Sequence, residues 1–142
     1  VDGVGKMYLS SGSKPGHKSQ HLNSSSLLRP TGHLKKFPWC KFEDRVQVRT
    51  LRLDTWYAKS GISLVDFIWA DVQGAERELI SGGKQTLNNT RYFYTEFCDS
   101  ELYERQPNLG EILDMLPNFE VQQKFETNVL LKNKKVDIMG DP

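Results

Sequence analysis

Cysteine is scarce in this chain: its 142 residues include two, Cys40 and Cys98. They stand far apart in no metal-ligand spacing, which argues against a disulfide-stapled fold and a thiolate zinc site. Buried or free thiols in a reducing compartment fit better. Long apolar runs are missing as well, and none approaches the ~20 residues that cross a bilayer. The opening residues show no charged-then-apolar leader pattern, so the expected location is cytoplasmic. Phosphate-cradling loops are also lacking. Gly3-Val4-Gly5 precedes a strand pattern rather than a helix, and the run from Gly12 to Lys18 (GSKPGHK) has the wrong spacing for a nucleotide loop. No serine sits in a nucleophile elbow. The three histidines, His17, His21 and His33, have no zinc spacing.

With 37% hydrophobic and 26% charged residues, the composition is that of one soluble folded domain. The net charge of +1 conceals a division. Through Arg52, ten Lys/Arg stand against three Asp/Glu, a balance of +7; from Leu53 onward nine stand against fifteen, a balance of −6. Such an arm can hold an anionic partner, although a solvated basic segment lying against an acidic body is the plainer reading. Three regions follow: residues 1–45, basic and Ser/Gly-rich; 46–133, the α/β body; and 134–142, a tail expected to fray. Val1-Asp2-Gly3 leads directly into the strand-like Lys6–Leu9, as though the chain were entered partway through a sheet.

Local patterns set the expected elements. Ser10 to Ser26 has loop composition, and Leu34 to Trp39 reads as irregular. Val46–Leu53 alternates as a strand with outward arginines, and Asp54 N-caps a short helix that Gly61 closes. Phe67–Ala70 is a short apolar run of the kind covered on both faces. From Ala75, Leu79, Ile80 and Leu87 mark a helix interrupted at Gly82-Gly83. Tyr92–Phe97 reads as a strand. Asn108 with Glu111 forms a capping box for a helix whose stripe is Leu109, Ile112, Leu113 and Leu116, stopped by Pro117. Phe119–Phe125 and Thr127–Lys132 form an antiparallel hairpin. The fold class is α/β, with a mostly parallel sheet and one antiparallel edge hairpin.

Strands Phe67–Ala70 and Tyr92–Phe97, joined by one crossover helix, are expected as parallel neighbours. Asp71 ends the first and Glu96 nearly ends the second, which puts two carboxylates at the carboxyl edge, where open α/β sheets bind ligands. Acids that close repel, so they share a proton, a cation or a positively charged ligand. Gln73 offers an amide beside them. Gly74 permits the turn or a close backbone approach, and Glu76 reads as a helix-start residue favoured by the dipole.

RTLRLDTW, VDFIWADVQGAERELISGG, RYFYTEF and FETNVLLKN together resemble the C-terminal part of the FkbM-type family of S-adenosylmethionine-dependent methyltransferases. The family motif D-V-E-G-A-E appears here as Asp71-Val72-Gln73-Gly74-Ala75-Glu76. Gln73 stands in place of the usual Glu, and Trp69 where a Lys is often seen. The resemblance implies a Rossmann-like sheet whose first, Gly-rich cofactor strands are absent from this sequence. It implies S-adenosylmethionine as cofactor, touched at Asp71 and Val72, and methyl transfer to a hydroxyl oxygen of a small-molecule or glycan acceptor. Asp71, Gln73 and Glu96 are the implied catalytic residues. Asp71 acts as general base or acceptor-orienting group; alternatively, Asp71 and Glu96 hold Mg²⁺. Neither a nucleic-acid nor a membrane partner is expected.

Two other readings compete: a non-catalytic module whose basic arm binds an anionic or glycan partner, and a metal-dependent hydrolase on Asp71 and Glu96. A half-sheet would also leave an unpaired edge and an uncovered face, so self-association or coverage by the N-terminal segment is expected of this chain alone.

Overall fold

A computed structural model describes residues 2–136. Val1 and most of the 134–142 tail lie outside the described residues. Two sheets are present. Strands β1 (Gly3–Ser11) and β2 (Lys41–Thr50) pair antiparallel as a two-stranded unit. Strands β3 (Val65–Ala70), β4 (Thr90–Glu96), β5 (Phe119–Lys124) and β6 (Asn128–Asn133) form the second sheet in the order β3-β4-β6-β5.

The α/β class holds, and so does the antiparallel hairpin at one edge, β6 lying between β4 and β5. The sheet itself is mixed. Only β3 and β4 run parallel, and β6 joins β4 antiparallel. A short return such as Phe125-Glu126-Thr127 can join only antiparallel neighbours, whereas β3 and β4 are linked by a helical crossover.

Helices α3 (Glu76–Gly82) and α4 (Lys84–Asn88) form that crossover, and they part at Gly83 as the glycine pair foretells. A Cβ on Gly83 would come within 2.8 Å of the Leu53 side chain, so the break lets α2 (Leu53–Ser60) pack close. Helix α5 (Leu109–Met115) opens on the expected box: Asn108 accepts from the Glu111 amide, and Glu111 accepts from the Asn108 amide. Arg77 reaches Glu111 at 2.8 Å and ties α3 to α5. One core results, with Ile80, Leu87, Phe93, Ile112, Val129 and Leu131 all about 1% exposed or less. Asn133, buried beneath it, donates to the carbonyls of Leu87, Asn88 and Thr90.

Several local expectations are corrected. Strand β2 begins at Lys41 and stops at Thr50, because Arg52 and Leu53 open α2. The composition change at residue 45 therefore falls inside a strand. Asp54 does not cap its own helix. It accepts from the Gln85 and Thr86 amides and the Thr86 hydroxyl, satisfying the free donors of α4 instead. Part of the stretch expected to be irregular is a single helical turn, α1 (His33–Lys36). β3 is covered on one face only. Ala70 is buried, but Phe67 and Trp69 are 51% and 72% exposed. β3 is also the open edge of its sheet, since β1 and β2 pair with each other and not with it.

Candidate active site

The parallel register places Ala70 opposite Thr95, so Asp71 and Glu96 leave adjacent strands at the same edge. Between them the chain makes a strained turn. Gln73 has φ +49° and Gly74 φ +95°, both in the left-handed region. Gly74 is required twice over, since a Cβ there would also lie 2.8 Å from the Tyr103 ring. The Gln73 carbonyl accepts the Ser26 hydroxyl at 2.7 Å, which holds the turn from the other side.

The side chains form one network. Gln73 Nε2 donates to Asp71 Oδ1 at 2.5 Å and lies 3.4 Å from Glu96 Oε2. The Tyr103 hydroxyl donates to the Ser24 carbonyl at 2.8 Å and lies 3.2 Å from Gln73 Oε1. Asp71 is exposed, and its Oδ2 has no hydrogen-bond partner among the described residues. Burial raises the pKa of Glu96, and the charge of Asp71 pushes it the same way. Burial likewise holds the Tyr103 phenol well above its usual range, so it serves as a donor and not as an acid.

Glu76 begins α3 as expected, yet it is wholly buried. Its Oε1 accepts the Gly74 amide at 3.3 Å, and its Oε2 has no hydrogen-bond partner among the described residues. Burial pushes its pKa up to about 7 against the pull of its own and the Gly74 amide, and Glu96 and Asp71 add to the rise. Sequence reasoning missed its burial. The available signal was Ile80, four residues on and on the same helical face, which belongs to the core. Tyr103, Ser24 and Ser26 were missed too. Their partners lie 30 to 79 residues away, and no spacing records that.

Beside the turn, Asp71 and Val72 line a cavity of about 530 Å³ walled by Val4, Met7, Leu53 and Leu79. Such a volume lies within the range of small-ligand sites. Both residues expected to touch the cofactor therefore face one open space, and the exposed Asp71 carboxylate suits a cationic sulfonium. A hard divalent cation fits less well. The Gln73 amide already lies between the two carboxylates, and no group of three or more His, Cys, Asp or Glu among the described residues could hold a metal ion.

The site is thus an acidic turn at the carboxyl edge of a parallel strand pair, the place where open α/β sheets meet their ligands. A family model described as Methyltransferase FkbM domain matches residues 4–125, and the chain belongs to that family. It is similar to the 2-O-methyltransferase NoeI of Sinorhizobium fredii (strain NBRC 101917 / NGR234), being 47% identical over 117 residues. That alignment covers 80% of this chain and 48% of the relative, so the chain spans about half the length of the curated relative it matches. No solved structure matches it.

Proposed function

We propose that this chain carries the acceptor side of an S-adenosylmethionine-dependent O-methyltransferase. One observation carries the reading. Asp71 and Glu96 leave neighbouring strands at the same sheet edge, and the exposed Asp71 lines an open cavity. Family membership supports methyl transfer, and the name of the relative supports a hydroxyl oxygen as acceptor. The cofactor, when bound, supplies a methyl group on a sulfonium sulfur.

The chain's own residues do the rest. Asp71 would accept the hydrogen bond of the acceptor hydroxyl and orient it. It would take the proton of that hydroxyl, a general-base role that makes the oxygen a better nucleophile. Glu96 adds negative potential that favours the approaching cation. Val72 and the apolar wall exclude water from one side of the space. The acceptor is a small-molecule or glycan hydroxyl, with no nucleic-acid partner. No helix among the described residues is long and apolar enough to cross a membrane. The free thiols of Cys40 and Cys98 accord with a cytoplasmic location. The open edge of β3 is the surface through which copies of this chain associate.

Calorimetric titration with S-adenosylhomocysteine tests the reading. Binding that Asp71→Ala weakens at least about tenfold, the loss of one charged contact, is expected. Absence of binding would remove the cofactor role from Asp71 and Val72.

A further inference from the structure

The turn after β3 poses a problem of charge. Asp71 and Glu96 are brought together by strand register, and two neighbouring carboxylates repel unless they share a proton, a cation or a hydrogen-bond donor. The group that lies there is neutral. Gln73 Nε2 stands 2.5 Å from Asp71 Oδ1 and 3.4 Å from Glu96 Oε2. A side-chain amide nitrogen carries two N–H bonds, one available for each acid.

The contacts favour one sense of the amide. Gln73 Oε1 faces the Tyr103 hydroxyl at 3.2 Å, and an amide rotated by half a turn would aim its oxygen at both acids. The Gln73 backbone is held in its left-handed conformation by the Ser26 hydroxyl on one side and the Tyr103 ring against Gly74 on the other. The amide nitrogen faces both acids, so Gln73 positions the pair.

Glu is the acid of the same length and shape as Gln73. With Glu there, three carboxylates would converge on one point, a donor set that suits a hard divalent cation. Gln removes one of those ligands and fills the space with N–H donors.

We propose that Gln73 is a positioning residue that stands in for a divalent cation: its amide bridges Asp71 and Glu96 without metal, and Gln73→Glu would turn the same loop into a Mg²⁺ or Mn²⁺ site. The inference rests on reading Asp71 and Glu96 as the working pair, but its test uses no cofactor, so the two can fail separately.

MnCl₂ is titrated into the native chain and into Gln73→Glu, with free Mn²⁺ followed by electron paramagnetic resonance. The native chain is expected to bind no Mn²⁺ at this turn. A folded Gln73→Glu chain, checked by circular dichroism, is expected to bind at least about tenfold tighter, because an added carboxylate ligand raises hard-cation affinity. Mn²⁺ binding by the native chain that disappears in Asp71→Asn overturns the proposal, as does a folded Gln73→Glu chain that gains nothing. If that variant does not fold, the native chain still decides the matter. The Gln73 side-chain amide resonance, identified by its loss in Gln73→Met, should not move in millimolar MgCl₂. A shift there would show a cation displacing the amide.

Discussion

The two faces of the four-stranded sheet come from the same strands and have opposite fates. On one face Ile68, Phe93, Val129 and Leu131 lie beneath α3, α4 and α5, and the last three are fully buried. On the other, Phe67 and Trp69 of β3, 51% and 72% exposed, stand beside Tyr92 and Tyr94 of β4. Trp69 meets Tyr94 edge to face at 5.7 Å, and Tyr94 meets Phe125 at 5.8 Å. Aromatic contacts of this kind give the open face some cohesion but do not hide it from water. Apolar residues on both sides of a strand thus show that both faces are fit for burial. They do not show that the burial happens within the chain.

The largest effect that would break this contrast is at Phe93. Phe93→Ala empties the centre of the covered face and should lower unfolding free energy by about 3–5 kcal/mol, measured by urea denaturation. Next comes pH, through Glu76 on the covered side. Its pKa in the folded chain is raised from 4.5 to about 7, so its protonated form is the one the fold favours. Its contribution is full below pH 4.5 and is lost as pH rises through about 7, a fall of up to about 3 kcal/mol. Glu76→Gln should flatten the stability profile across that window; an unchanged slope would mean that Glu76 does not carry it. Asn133→Ala leaves the Leu87, Asn88 and Thr90 carbonyls without their donor, a loss of about 2 kcal/mol in the same denaturation assay. Smallest is the open face itself. Trp69→Ser should change stability by about 1 kcal/mol or less. It should nevertheless shift the chain toward monomer in analytical ultracentrifugation. A Trp69 variant as damaging as the Phe93 variant would show that the two faces are energetically alike.

What was legible in the sequence was local. The Asn108–Glu111 box, the Gly82-Gly83 break and the short hairpin return each need only a few residues in fixed order, and each is found as read. The convergence of Asp71 and Glu96 was legible one level up, because a single crossover between two strands determines which ends meet. The rest of the site was not. Ser24 and Ser26 sit in a stretch whose composition says loop, and they act through Tyr103 and the Gln73 carbonyl, far along the chain. Asp54 had the right chemistry for a cap, but its partners were in another helix. Contacts of that kind depend on how finished elements pack, and neither composition nor period reports it.

The bond from Tyr103 to the Ser24 carbonyl closes a loop of 79 residues. Closing a loop of that length costs only modestly more than closing a shorter one. The core and the acidic turn therefore rest on contacts of different range. Strands β3 to β6 and their helices can assemble from near neighbours, while the turn reaches its final shape only when the serine-rich arm arrives. A nick within that arm would cut the tether through which Ser24 and Ser26 reach Tyr103 and the Gln73 carbonyl, and so release the turn.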